Sequence, residues 1–385
     1  MTTKIPKQSS AFMTRFPSHL LRALLTVLLL TACIVQAADA PAFAPRLTGA
    51  MTKHLNSLLG EDGVVAILKG KAADGEMALA YYRMFEITGD RRYRAAALTL
   101  TDRILKAMRA TKFGVLPIKE KENEAGDKFI GGGPPALGFY TGNVAYILHK
   151  EGGRADDLKY LGKVLDDFPW NEQGWWSQDI DVKTGKPKVP MSKPSIINKN
   201  AAIAMATGML AEALRKTDPD LSARLKLKTD KCVYGQIVPA QLADGFWHYN
   251  LNGNDPKDKD ILGYFMLTTR VLMELQHFNA GYREPKLDAA IRKAQTFALE
   301  CIAPMTDPNT GPACAAHRTP GTPRHYTLAD EPKRGFDLAL ILIGGGFFEQ
   351  GSRILDASLK HFAFGDAGVD GARAAASSAG ILARH

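Results

Sequence analysis

The chain has 385 residues, of which 45% are hydrophobic and 23% charged, with a formal net charge of +9. That balance excludes a disordered chain, and the length accommodates two domains or one large repeat-built domain. Residues 1–37 hold four basic side chains and no acid, so without them the formal charge falls to +5. This mild excess suits acidic ligands. With no arginine-rich stripe or basic-aromatic patch, it does not support nucleic acid as a partner.

Lys4, Lys7, Arg15 and Arg22 precede an almost continuously apolar run, Leu20 to Val35. A basic segment followed by a short apolar one has the form of an export signal, and it is too short for a stable membrane span. Two processing sites compete. Val35-Gln36-Ala37 offers small residues for cleavage before Ala38, whereas Leu30-Thr31-Ala32-Cys33 resembles a bacterial lipobox in which Cys33 would be lipidated. Either way the mature protein is expected in the periplasm or outside the cell, with membrane contact only through such an anchor.

Downstream, apolar residues recur at helical spacing almost throughout. Ala78, Leu79, Tyr82 and Phe85 lead to Thr88-Gly89-Asp90, and Tyr93, Ala97, Leu100 and Ile104 follow. This predicts a helix, a glycine stop and a second helix. The plan recurs at 136–149 with 155–167, at 197–216 with 220–233, and at 260–278 with 286–302. A weaker pair at 334–349 and 352–363 is interrupted by Gly344-Gly345-Gly346. Residues 45–59 offer one further helix. The Ala/Gly/Ser-rich residues 366–385 read as a loose tail.

Turns within pairs are short. Connections between pairs (about 110–135, 168–196, 236–259 and 303–333) are long and rich in Gly, Pro and aromatics. In an antiparallel helical array, short and long connections must lie at opposite ends, so the long ones gather on one face, where function concentrates. The first helix of each pair is the more apolar, as in Ile196–Leu214 and Ile261–Phe278, and is expected to be buried inside a ring of second helices. The long loops would then meet the N-termini of the inner helices, which favour anions.

This organisation, with Tyr81-Tyr82, Thr88-Gly89-Asp90 and Tyr93, and with Asp244-Gly245-Phe246-Trp247-His248-Tyr249, resembles the six-hairpin (α/α) toroid superfamily. The likeness covers about residues 45–363 and implies an all-α toroid of five to six hairpins. It also implies a carbohydrate-active enzyme, since glycoside hydrolases and polysaccharide lyases populate that superfamily. Neither motif singles out one family.

All four tryptophans lie in two of the long loops. Trp175, Trp176 and Trp247 are candidates to stack on sugar rings, with Asn198, Asn200, Tyr264 and Arg324 as further ligand contacts. The same tryptophans would serve equally to plug loop ends into the ring. A hydrolase needs two carboxylates across the scissile bond, and Asp179 or Asp181 with Asp244 or Asp260 offers such a pair. A uronate lyase needs a base and a group that neutralises the carboxylate. The pairs His248-Tyr249 and His325-Tyr326, with Asn198, Lys199, Asn200, Arg318 and Arg324, offer that set. The basic charge and the two His-Tyr pairs tilt the balance slightly towards the lyase.

Asn250, Asn252 and Asn254 ahead of Asp255, Asp258 and Asp260 alternate like calcium ligands but miss the EF-hand spacing, so solvated turns are expected and no cofactor is required. Cys301 and Cys314 are a candidate disulfide, and the cysteine spacing does not suit a metal. Gln241 to Trp247 matches one copy of the Q-x3-G-x-W repeat of triterpene cyclases. With one complete copy and no Asp-rich acid motif, a hairpin-tightening role is the better reading. Two functions stay open: an exported carbohydrate-active enzyme, and a non-catalytic glycan-binding or envelope protein.

Overall fold

The structure, a computed structural model, describes residues 43–60, 71–122, 128–133, 136–187, 196–251, 260–278, 282–306, 317–318, 326–327, 334–362, 364 and 369–385. The export signal, Cys33, Cys314, Arg324 and His325 lie outside the described residues. Pro45–His385 is one unit of the chain.

Twelve α-helices occur among the described residues: α1 (Ala44–Leu58), α2 (Lys71–Thr88), α3 (Arg91–Arg109), α4 (Ala136–Glu151), α5 (Ala155–Asp167), α6 (Ile197–Leu214), α7 (Pro219–Cys232), α8 (Leu262–Phe278), α9 (Pro285–Phe297), α10 (Gly335–Gly344), α11 (Phe348–Phe362) and α12 (Val369–Leu382). None is long and apolar enough to cross a membrane. The short strands are β1 (Lys119–Glu122), β2 (Lys128–Gly132), β3 (Ile180–Asp181), β4 (Asp260–Ile261), β5 (His317–Arg318) and β6 (Tyr326–Thr327).

The even-numbered helices form a closed ring. Each packs on the next in the order α2, α4, α6, α8, α10, α12, and α12 packs back on α2. Their sequences explain their position. Nearly every residue of α6 and α10 is buried, which requires neighbours on all sides. The outer helices are amphipathic instead. In α3 the residues Tyr93, Ala97, Leu100 and Ile104 face inward, and Asp90 caps its N-terminus by accepting from the Arg92 N–H. Inner helices also approach closely where they carry small residues. A Cβ on Gly138 of α4 would lie 2.4 Å from the Ala202 carbonyl oxygen of α6, so no other residue fits there.

The ends of the chain complete the ring. Residues 366–385, expected as a loose tail, instead contain the sixth inner helix. Ala372, Ala375, Ala376 and Ala379 of α12 are fully buried against its neighbours. Alanine content, taken for looseness, here permits close helix packing. Helix α1 occupies the matching outer position. Leu47, Met51 and Leu55 form its buried stripe. The Tyr81 hydroxyl donates to the Leu55 carbonyl at 2.9 Å, and Arg46 pairs with Asp356 of α11 at 3.1 Å. The glycine run Gly344–Gly346 is the turn between α10 and α11.

The long connections are knitted together at the end where the inner helices begin. Strands β1, β2 and β3 join two of them, and β4, β5 and β6 join two more. A bridge from Ile196 to Asn250 links the second to the third, reinforced by the Ile197 N–H donating to the Tyr249 carbonyl at 3.0 Å.

Two of these loops open with the same device. Gly174 and Gly245 have φ of 102° and 95°. Each lies against the backbone of an outer helix, at Lys231 and Lys293 respectively, and each precedes two buried aromatics, Trp175-Trp176 and Phe246-Trp247. Gln241 tightens the second turn by donating to the Gly245 and Ala290 carbonyls at 2.9 and 2.8 Å. The isolated Q-x3-G-x-W motif is therefore a structural clasp.

Removal of residues 369–385 would strip one inner wall and expose the apolar flanks of α2 and α10. The truncated chain is expected to lose its cooperative thermal transition. A wild-type melting profile, followed by circular dichroism, would show that the ring does not need α12.

Candidate functional site

The loop end of the ring brings several of the candidate residues together around the first turns of α6 and α8. His248 is half-buried, with its ring edge-on to Phe246 at 6.3 Å. The next residue, Tyr249, stacks on Tyr264 of α8 with ring centroids 4.9 Å apart and planes at 26°; both rings are only partly buried. Beside them, at the start of α6, Asn198 is buried and its side-chain oxygen has no hydrogen-bond partner. Lys199, next along, reaches the buried Asp179 at 3.5 Å. A base, an aromatic platform, an amide and a cation thus share one helix-terminal neighbourhood.

Other candidates sit elsewhere. Trp175, Trp176 and Trp247 are only 4%, 1% and 2% exposed, so they offer no open face for a sugar and act as the plugs of their loops. The Trp247 indole N–H donates to the Ile237 carbonyl at 2.8 Å, which satisfies its polar edge internally. Asn200 is structural as well. Its oxygen accepts from the Trp176 N–H at 2.9 Å and its amide donates to the Ile196 carbonyl at 3.1 Å. Asp244 is an exposed turn acid that accepts from the Phe246 N–H at 3.1 Å, on the Gly245 turn that abuts the outer helix α9. Asp181 likewise accepts from the Lys183 N–H and the Thr184 hydroxyl within its own turn. Asp244 thus sits in a turn against the outer helix α9, and Asp179 is buried beside Lys199.

Asp260 lies in β4, opposite Arg318 of β5 in the backbone register. Tyr326 belongs to β6. Among the described residues no group of three or more His, Cys, Asp or Glu side chains could hold a metal ion, and Asn252, Asn254, Asp255 and Asp258 of the calcium-like run lie outside them. Cys232 is buried in α7, and burial pushes its thiol well above the usual range.

Beneath the loop end, the interior of the ring carries charges that the sequence reading passed over. Arg270 of α8 binds Glu76 of α2 at 2.6 Å and lies 3.4 Å from Asp337 of α10. The Ser377 hydroxyl of α12 donates to the same Asp337 oxygen at 2.5 Å. Towards the other end, Arg83 of α2 grips Glu274 of α8 through both of its terminal nitrogens, at 3.1 and 2.5 Å, and Arg384 approaches the same carboxylate at 3.2 Å.

All these side chains except Arg384 are at most 2% exposed. Burial raises the Glu76 carboxyl above its ordinary range, against the pull of Arg270. Burial would do the same to Glu274, but Arg83, Arg384 and Arg270 outweigh it and hold that carboxyl well below the ordinary range. The signal was present in the sequence. A charge four residues from another inside an otherwise apolar helix, as with Arg270 and Glu274, has to meet a partner across the core.

Glu274→Gln would leave two guanidiniums facing a neutral amide. A loss of about 3–5 kcal/mol in unfolding free energy is expected, measured by denaturant titration. Because the folded pKa is depressed, the wild-type advantage is present above the unfolded carboxyl value of about 4.3 and is lost as pH falls below it. A gap between the two proteins that stayed constant down to low pH would contradict the ion-pair account.

Similar folds occur among solved structures. The cellobiose 2-epimerase from Bacillus thermoamylovorans B4167 superposes with a TM-score of 0.60 at 10% identity, over 84% of this chain and 87% of the other. An unsaturated glucuronyl hydrolase specific for heparin gives 0.53 at 12%, over 82% and 84%. A glycoside hydrolase of family 105 from C. acetobutylicum ATCC 824 gives 0.51 at 15%, over 85% and 96%. No protein-family model matches the sequence, and no curated protein matches it. At these identities the likeness establishes the architecture: the chain has the fold of the six-hairpin (α/α) toroids.

Proposed function

We propose that this protein is an exported carbohydrate-active enzyme that works on a poly- or oligosaccharide at the loop end of its ring, by removing a proton next to a uronate carboxyl. The observation that carries this reading is the grouping of His248 with the stacked, partly open Tyr249 and Tyr264 at the N-termini of α6 and α8. A sugar lying against the tyrosine faces would bring its ring hydrogens within reach of an imidazole. The uronate carboxylate would be met by the positive ends of the inner helices and by Lys199. Asn198 supplies an unused buried oxygen for a hydroxyl. The names of the structural neighbours, sugar epimerases and glycoside hydrolases among them, support a sugar substrate without specifying it.

In a lyase reaction the base takes the proton next to the carboxyl, the electron pair forms a ring double bond, and the glycosidic carbon–oxygen bond breaks, with a proton delivered to the leaving oxygen. The test follows from that balance. Uronate-containing and neutral glycans are incubated with the enzyme, and both ultraviolet absorbance of unsaturated product and reducing ends are followed. Absorbance rising with reducing ends is expected on the uronate polymers. Reducing ends alone would establish hydrolysis, and binding without turnover would establish a glycan-binding protein.

Loss of the base, His248→Ala, is expected to lower kcat about 10²–10⁴-fold. The second His-Tyr pair, His325-Tyr326, is its competitor. Unchanged activity in both His248→Ala and His325→Ala would remove histidine from the mechanism. Activity that survives chelation by EDTA is expected, since this chemistry needs no metal, and calcium-restored activity would revive the Asn/Asp loop as a cation site. Export predicts a mature protein beginning at Ala38, or at Cys33 with added lipid, distinguishable by intact mass.

A further inference from the structure

At the opposite end of the ring, where the inner helices finish, α8, α9, the end of α10 and the residues after α12 enclose a cleft of about 630 Å³. Its lining includes Gln276, His277, Arg283, Asp288, Arg292 and Arg384. That volume lies within the range of small-molecule sites. The chemistry is one-sided: three arginines face one carboxylate, and the Asp288 carboxylate is engaged by the Gln276 amide at 2.6 Å.

The floor of the cleft adds to the excess. Arg384 is 12% exposed and leans on a carboxylate that Arg83 already holds through two hydrogen bonds. One carboxylate thus serves two guanidiniums. The Nη1 group of Arg384 donates to the Gly380 carbonyl at 2.7 Å, and its Nη2 lies 3.2 Å from the Glu274 carboxylate. Helix C-termini carry only about half a negative charge each, which does not offset full guanidinium charges in a partly buried cleft. His277 responds to the same surroundings. Burial, with Arg384 and Arg83 nearby, lowers its pKa to about 4, so it is neutral near pH 7 and presents a ring nitrogen to a ligand without further charge.

We propose that this cleft is a second binding site, for a small polar ligand that carries an oxyanion. Guanidinium groups engage carboxylate, sulfate and phosphate through paired N–H donors, and Arg384 adds positive charge at the base of the cleft. The exposed Arg283 and Arg292 would close on the anion from the rim. The site lies away from the loops, so its occupancy does not require the proposed catalytic reaction.

The test is calorimetric titration of the full mature chain with inorganic phosphate, sulfate and glucuronate at matched ionic strength, with chloride as the control. Saturable binding of at least one of the three is expected. The double variant Arg283→Gln/Arg292→Gln should weaken it at least about 10-fold, on the scale of one lost charge-assisted contact. These residues are exposed, so the variant should keep the wild-type thermal transition in chloride, which separates lost binding from lost folding. His248→Ala should bind the anion as the wild type does. Binding no stronger than chloride in the wild type, or full binding in the double arginine variant, would overturn the proposal. The strongest of the three ligands distinguishes an acidic sugar from a free inorganic anion.

Discussion

The ion pairs that cross the interior of the ring are the constraint on which the rest of this molecule depends. In the order α2, α4, α6, α8, α10, α12, the helices α2 and α8 stand three places apart in either direction, so they oppose each other. Arg83 with Glu274, and Glu76 with Arg270, both join that opposing pair. Six helices around one axis leave a middle that leucine-sized side chains do not reach across, and long charged side chains do. Once buried they must be paired, because an uncompensated charge there costs several kcal/mol. The pairing ties the diameter of the ring and sets which faces of α2 and α8 meet.

That cross-bracing also decides where ligands have room. Asp337 and Ser377 extend the upper pair into α10 and α12, and Arg384 extends the lower one to the chain end. Paired side chains therefore bridge the interior, and a cleft opens at the end where the inner helices finish. At the loop end, backbone pairing among four connections holds His248, Tyr249 and Tyr264 over the helix N-termini. At the other end, the surplus guanidinium of the lower layer becomes the floor of an arginine-lined cleft.

The tryptophans illustrate how one residue type serves a position rather than an activity. Aromatic residues in long, Gly- and Pro-rich loops invite a binding role. Here Trp176 and Trp247 follow a left-handed glycine that presses against an outer helix, and that turn drives them into the core. The tyrosines, less prominent in the sequence, keep partly open faces. Burial on this scale is decided by the turn before the residue and by what the turn rests on.

Much of the fold was legible in the sequence because it rests on local rules. The period of the apolar residues, Thr88-Gly89-Asp90 as a stop and a cap, and the alternation of short and long connections are all near-neighbour properties. Together they determine inner and outer helices and place the loops at one end. They did not reveal α12, whose Ala, Gly and Ser residues carry little hydrophobic signal and become helical because α2 and α10 leave a slot that only small side chains fit. Nor could they pair Arg83 with Glu274, 191 residues apart. Those outcomes belong to the tertiary structure, since which buried charges meet and which acids face outward depend on how the ring closes, and closure is a property of all six inner helices at once.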